Sequence, residues 1–296
     1  MSVQETALQI EGSARVIGRD DRRIGSLLAK EGKLDSGDID RVMAVQVTEG
    51  LRFGDAALRL GLITADDLRH VIATQYDIPR LLPGNETTGS ELVVAREPFH
   101  PRAEEFRALR TQLSIRWSNA KVESRVLAIV SPGADEGRSY VAANLAVAFS
   151  QLGERTLLID ADLRSPRQHL IFNVPDRVGL AAVLAGRAGR SAVAPAPEFG
   201  PLWILPAGAR PPNPQELLSR LALGVLLREL SSEFDVILLD TSPAKVYADA
   251  QAVAFRARSA IVLARKDRTR LEDAKSVIQE LSALDTGVIG TVFTDF

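Results

Sequence analysis

Three aspartates at the ends of apolar runs carry the chemistry this sequence can offer. Asp160 and Asp162 lie near the end of TLLIDADLR (156–164), and Asp240 stands in FDVILLDTSP (234–243). An earlier run, Val126 to Val130, leads into a turn rich in Gly and Pro, SPGADEGRSY (131–140), and then into a small-residue apolar helix pattern reaching Phe149. Backbone N–H groups at a helix start are unpaired and carry the positive end of the helix dipole, so Gly137, Arg138 and Ser139 stand where phosphate oxygens can be held. Carboxylates brought to the same edge supply oxygen ligands and orient water around a divalent cation. The chemistry implied is binding of a Mg²⁺–nucleotide. Phosphoryl transfer needs little beyond in-line positioning and charge neutralisation, so it too is within reach of these few residues. A single strand-end Asp is more often a turn or helix cap. Three of them in this order around one loop weaken that reading.

Runs 126–130, 156–159, 202–205, 236–239, 260–264 and 288–292 are short and apolar, and they alternate with helical stretches. This predicts an α/β fold: a mainly parallel P-loop NTPase sheet with helices on both faces and ligands at the C-terminal edge of the strands. With Asp160-x-Asp162-x-Arg164 as a second acidic box and Asp240-Thr241-Ser242-Pro243 as Walker B, the sequence resembles the MinD/ParA-like branch of P-loop ATPases. The phosphate loop departs from the Walker A pattern G-x-x-x-x-G-K-[ST]. Pro132 stands at the first Gly and Arg138 at the Lys, while Gly137 and Ser139 stand as written. Arg keeps the charge of Lys, but its planar fork does not replace a compact ammonium. For Arg164 a sheet-edge ion pair and a phosphate contact are equally open.

Composition bounds the alternatives. The chain has 296 residues, 46% hydrophobic, with a formal net charge of −2, enough for two domains and too neutral for an obligate nucleic-acid binder. No apolar run approaches the ~20 residues of a membrane span, and residues 1–20 lack a signal-peptide core. Zero Cys excludes disulfides and thiolate metal sites and is compatible with a reducing cytoplasm. Three scattered His residues, His70, His100 and His169, argue against a zinc centre.

Residues 1–20 show no period and read as a mobile leader. Residues 21–79 hold an internal repeat at an offset of 29 residues: Arg23-Ile24-Gly25 recurs as Arg52-Phe53-Gly54, Gly32 as Gly61, and Gln46 as Gln75. Each copy has helical apolar spacing, a Gly suited to a C-cap and an Asp or Thr suited to the next N-cap, which predicts a small all-helical tandem-repeat domain ahead of the sheet. Packing alone does not require Arg and Gln at matching places. The pattern resembles the MshE N-terminal type of cyclic di-GMP receptor, in which Arg23 and Arg52 would pair with phosphate or a guanine edge, Gly25 and Gly54 would admit close backbone approach, and Asp55 would accept guanine N–H groups. Ser26 is the counterpart of Asp55, so the two half-sites would differ. A docking bundle with no ligand is the alternative. Residues 80–101 carry Pro and Gly breakers and read as a linker.

A helix is expected over 101–117, with Phe106, Leu109, Leu113 and Trp117 on one stripe and Glu104, Arg107 and Arg110 beside it. Glu104-x-x-Arg107-x-x-Arg110 fits a solvated charge ladder. It also matches the E-x-x-R-x-x-R element that bacterial tyrosine kinases of polysaccharide export use at their subunit contact. Together with the phosphate loop, LLIDADLR, Asn213-Pro214-x-Glu216-Leu217 and LLDTSP, it makes 102–296 resemble the tyrosine autokinases of exopolysaccharide chain-length control. With the repeat in front, the whole chain resembles their EpsG subgroup. The resemblance implies ATP or ADP with Mg²⁺, and phosphate contacts from Gly133, Asp135, Glu136, Gly137, Arg138, Ser139, Tyr140 and Arg164. It further implies Ser139, Asp162 and Asp240 near the metal, with Arg138, Asp160, Asp162 and Asp240 in catalysis and Asp160 as the base orienting a tyrosine hydroxyl. Self-association through Glu104, Arg107 and Arg110, for assembly rather than folding, belongs to the same set. So does a cytoplasmic location with recruitment to the inner membrane by the cytoplasmic segment of a polysaccharide co-polymerase.

Five features depart from the family: Arg138, Asp135 where the loop usually has Gly, Tyr140 where a Thr usually follows the loop Ser, Thr294 where the last strand usually has Asn, and the absence of a tyrosine cluster near Phe296. The tyrosines are Tyr76, Tyr140 and Tyr247. These departures keep open a catalytically weak or inactive nucleotide-binding regulatory subunit. A MinD/ParA-type positioning ATPase is disfavoured because Gly133 occupies the place of that group's signature Lys.

Overall fold

The computed structural model describes residues 23–75, 89–120 and 125–295. The chain divides into two compact units, 1–78 and 79–296. The expected leader and residues 80–88 of the expected linker lie outside the described residues.

In the first unit the repeat forms two helix pairs, α1 (Ile24–Lys30) with α2 (Ser36–Glu49) and α3 (Phe53–Arg59) with α4 (Ala65–Gln75). Gly32 and Gly61 follow α1 and α3 with φ of 69° and 66°, the left-handed turn that a helix C-terminus demands. Asp35 accepts the Asp38 N–H at 2.8 Å and Thr64 Oγ1 accepts that of Asp67 at 3.1 Å, so each second helix opens on a reciprocal cap. Leu28, Leu34 and Val42 of the first copy and Ala57, Ile63 and Val71 of the second occupy equivalent positions and share one core. α1 packs on α4, and α2 on α3. Exchanging the copies turns one contact into the other, so the unit has a pseudo-two-fold arrangement. Gly25 and Gly54 serve this packing. A Cβ on Gly25 would meet the Phe53 ring at 3.0 Å, and one on Gly54 would meet Leu68 at 2.6 Å.

The second unit is a seven-stranded sheet of β1 (Val126–Val130), β2 (Thr156–Asp160), β3 (Ala194–Pro195), β4 (Leu202–Leu205), β5 (Val236–Asp240), β6 (Ser259–Arg265) and β7 (Gly287–Thr294). Their order is β3-β4-β2-β5-β1-β6-β7, parallel throughout except for the short β3. Alternate residues feed two cores: Leu127 and Ile129 face one side, Val126, Ala128 and Val130 the other. Both sides are covered by helices, which is why these strands read as unbroken apolar runs.

The segment expected to be a linker is folded from residue 89 onward. Leu92, Val94 and Ala95, around the one-turn α5 (Val93–Arg96), are buried in the first core. The buried Asn144 side chain clamps them, its Oδ1 accepting the Val94 N–H at 3.1 Å and its Nδ2 donating to Glu91 O at 2.8 Å. The Pro and Gly breakers mark a tight wrap here, not a spacer. α6 (Pro101–Ala120) follows and buries Phe106, Leu113 and Trp117 against the sheet unit.

Candidate nucleotide site

The register of β2 on β5 sets Asp160 directly beside Asp240. Asp160 is fully buried and fully committed to backbone, accepting N–H groups of Arg167 and Gln168 on Oδ2 at 2.9 Å each and of Asp162 on Oδ1 at 3.2 Å. Burial first, and the charge of Asp240 second, hold its carboxyl well above the usual carboxylate range. In the ligand-free structure Asp160 has no exposed surface and anchors the turn after β2. Asp162 is the acid that faces the cleft, its Oδ1 accepting from the Arg164 and Ser165 N–H groups at 3.1 and 3.0 Å.

Asp240 is also fully buried, and its carboxyl is pushed up to about 6, mainly by burial. Gln168 Nε2, at 2.8 Å from Oδ2, and the Ser139 hydroxyl act in the opposite sense. Its Oδ1 is buried without a hydrogen-bond partner. With only the Ser139 hydroxyl alongside, a buried carboxylate oxygen short of donors is costly, and it stands where a ligand's donor fits.

Between these acids the loop turns into α7 (Arg138–Ser150) through Gly137, whose φ of 92° L-residues rarely adopt. The loop is braced from inside and outside. Glu136 is buried, accepting the Gly133 N–H at 2.6 Å and the Thr269 hydroxyl, so its charge stays in the loop interior and away from phosphate. Asp135 adopts φ 56°, in keeping with the Gly it replaces. Asp135 lies at the cleft's edge, and its carboxylate pairs with Arg268 at 3.1 Å. Arg138 is the largest departure. Its guanidinium folds back into the loop and donates to Thr241 O at 2.7 Å, Gly133 O at 2.5 Å and Ser131 Oγ.

The resulting cleft holds about 250 Å³ and is walled by Gly137, Arg138, Ser139, Asp162, Arg164 and Arg167 among others. Arg164 makes the sheet-edge ion pair, bidentate to the buried Asp249 at 2.6 and 3.1 Å, with its Cζ 4.0 Å from the Tyr247 ring centroid. Sequence reasoning missed Arg167, which reaches Glu91 at 2.6 Å, because a lone Arg in RSPRQH carries no pattern. Tyr140 also lines the cleft, and its ring packs on Phe106 with ring centroids 5.6 Å apart. Gly133 contributes its backbone to the brace. Among the described residues no three His, Cys, Asp or Glu side chains converge on a metal cage. Mg²⁺ held by phosphates, a Ser hydroxyl and its own waters needs none, and the unpartnered Asp240 Oδ1 suits a water of such an ion.

Residues 127–296 match the CobQ/CobB/MinD/ParA nucleotide-binding domain. Tyrosine-protein kinase YwqD of Bacillus subtilis is 32% identical over 68% of this chain and 84% of its own length. The kinase domain of Escherichia coli tyrosine kinase ETK superposes with a TM-score of 0.67 at 27% identity, over 74% of this chain and 85% of that one. The chain belongs to the bacterial tyrosine-protein kinase family. The septum site-determining protein MinD of Pyrococcus horikoshii, solved with Mg-ADP, shares the sheet unit at a TM-score of 0.51 and 28% identity, over 57% of this chain and 69% of that one.

Within this tyrosine-kinase unit the three α6 residues expected at a subunit contact divide. Glu104 is exposed, while Arg107 pairs with it at 2.9 Å and also donates to Pro98 O at 2.6 Å, tying down the wrapped segment. Arg110 donates to Ala148 O at 2.9 Å, near the C-terminus of α7, where a cation complements the helix dipole. Both arginines therefore hold intramolecular contacts, beside which the expected role in assembly stands as a proposal. Arg110→Ala is expected to destabilise the unit by about 1–3 kcal/mol, visible as a lower thermal midpoint. An unchanged midpoint would show that the bond to α7 carries no weight.

The repeat residues proposed for a dinucleotide lie at equivalent places. Arg23 and Arg52 are exposed and immediately precede α1 and α3, Gln46 and Gln75 are half-buried near the ends of α2 and α4, and Asp55 is exposed in the first turn of α3. No described helix of either unit is long and apolar enough to cross a membrane.

Proposed function

We propose that the second unit binds ATP or ADP with Mg²⁺ in this cleft and acts as a tyrosine-protein kinase of exopolysaccharide chain-length control. The observation that carries the reading is the buried, unpartnered Oδ1 of Asp240 beside the Ser139 hydroxyl at the start of α7. In this account backbone N–H groups from Gly137 to Ser139 hold the phosphates, Ser139 and Asp162 face the metal, and Asp240 orients its water shell. Bound Mg²⁺ supplies charge neutralisation at the transferred phosphoryl group. Residue by residue, the chain's contribution is to orient and to exclude water. The protein works in the cytoplasm, recruited to the inner membrane by the cytoplasmic segment of a polysaccharide co-polymerase.

A second reading, a nucleotide-binding regulatory subunit with little or no turnover, is favoured by two observations: the Arg138 guanidinium is held by loop acceptors, and Asp160 has no exposed surface. Labelled-phosphate transfer to tyrosine, measured with and without the co-polymerase segment, separates the two. Transfer stimulated by the segment supports the kinase; nucleotide binding with no transfer in either condition leaves the regulator.

For the first unit we propose cyclic di-GMP as the ligand, supported by the pseudo-two-fold packing and the paired Arg23 and Arg52. Each Arg→Ala change removes charge-assisted hydrogen bonds of about 1.5–3 kcal/mol, roughly ten- to more than hundred-fold in affinity. Calorimetry on the full chain should show that loss. Equal affinity in wild type and both variants would return the repeat to a docking bundle.

A further inference from the structure

At the opposite end of the sheet from the phosphate loop, a cleft of about 580 Å³ opens between helix Leu221–Leu230 and the end of helix Asp249–Ala257. Val126, the first residue of β1, lies in its wall. The phosphate loop begins past the other end of that five-residue strand, ~16 Å away at ~3.3 Å per residue, so the two clefts are separate. Three guanidiniums, Arg228, Arg256 and Arg258, line it together with Ser231, Ser232 and Phe255. None of the three forms an ion pair with a carboxylate among the described residues, which sets them apart from Arg125, Arg155, Arg164, Arg167 and Arg190, each paired with an acid. Of the acids near these arginines in sequence, Glu233 pairs with Arg190, Asp235 with Arg155 and Asp249 with Arg164, while the exposed Glu229 next to Arg228 makes no ion pair among the described residues.

Self-repulsion among three cations is unfavourable unless something offsets it. Two helix C-termini end at this cleft and contribute about half a negative charge each, and Glu229 adds one more beside Arg228, which leaves a net charge of about +1. Arg256 has one local role, donating to Ser219 O at 3.1 Å, and its Cζ lies 5.2 Å from the Phe255 ring centroid. Arg228 and Arg258 are exposed and have no such partner among the described residues. A concave wall of forked donors with an exposed aromatic ring at its side fits a compact, multiply charged phosphate better than it fits a flat anionic surface.

We propose that this cleft is a second anion site, for a small polyphosphate, formed by Arg228, Arg256 and Arg258 and independent of the nucleotide cleft. The probe is inorganic pyrophosphate without Mg²⁺, titrated calorimetrically into the full chain. Arg228→Ala and Arg258→Asn are the test variants; Asn is chosen at 258 because that residue sits at φ 66°, where Asn is tolerated. Saturable binding that falls at least ten-fold in each variant and survives Ser139→Ala is the expected result, with unchanged thermal midpoints showing that both variants fold. No saturable binding at 10 mM, or equal affinity in both variants, overturns the site. Loss with Ser139→Ala alone would place the pyrophosphate in the phosphate loop and overturn it too. Sedimentation with anionic vesicles, lost in the two variants while pyrophosphate fails to bind wild type, would assign the patch to a membrane surface instead.

Discussion

Asp240→Asn is expected to make the ligand-free protein more stable while removing its Mg²⁺-dependent nucleotide binding. The carboxyl sits at about 6 because burial disfavours its charged form, against an ordinary value of 3.8. A group raised on folding contributes stability fully present below its unfolded pKa and lost as pH rises through the folded value. For Asp240 that window runs from about 4 to about 6, so at neutral pH the ionised carboxylate is a liability in the empty site. Asn keeps the acceptor for Gln168 and carries no charge to desolvate. The gain is on the order of 1–3 kcal/mol, several degrees in thermal midpoint. Nucleotide affinity with Mg²⁺ should fall at least ten-fold, and the wild-type loss of stability between pH 4 and 6 should flatten in the variant. A variant less stable than wild type at pH 7.5, with Mg²⁺-dependent binding intact, would show that Asp240 is structural.

Arg138→Lys is expected to raise phosphoryl transfer by about ten- to hundred-fold with little change in nucleotide affinity. In the structure Arg138 is held by Thr241 O, Gly133 O and Ser131 Oγ, all belonging to the loop or to the end of β5. A guanidinium so engaged stabilises the loop but is poorly free to follow charge as it develops on a transferred phosphoryl group. A Lys ammonium is a compact charge with rotatable donors, able to leave one acceptor for another. Losing one preorganised donor at a developing anion typically reduces turnover by 10²–10³, so a partial recovery is a fair expectation. Initial rates under saturating Mg·ATP decide it. A slower Lys variant would mean that Arg138 already contributes in the transition state.

The sheet was legible because parallel strands covered on both faces must be apolar throughout, and only β3, two residues including Pro195, escaped that pattern. The acids were legible for the same reason, since a carboxylate at the end of such a strand stands out. Their division of labour was not. Asp160 and Asp162 are two residues apart, yet one points into the protein beneath the Arg167–Gln168 turn and the other into the cleft. Strand alternation distinguishes faces of the sheet but not what packs over its edge. The segment from residue 89 was misread because Asn144, the residue that clamps it, lies 50 positions from Val94, and local composition holds no trace of such a contact. The intramolecular bonds of Arg107 and Arg110 were not legible for a similar reason, their acceptors being carbonyl oxygens that any sequence supplies.

Calorimetric titration of the full chain with ADP, with and without Mg²⁺, tests most directly whether the cleft at Gly137–Ser139 is a Mg²⁺–nucleotide site. The account predicts saturable binding at tens of micromolar or tighter, dependent on Mg²⁺ and lost with Asp240→Asn. Absence of binding at millimolar ADP with Mg²⁺ present, in a folded wild-type protein, would contradict it.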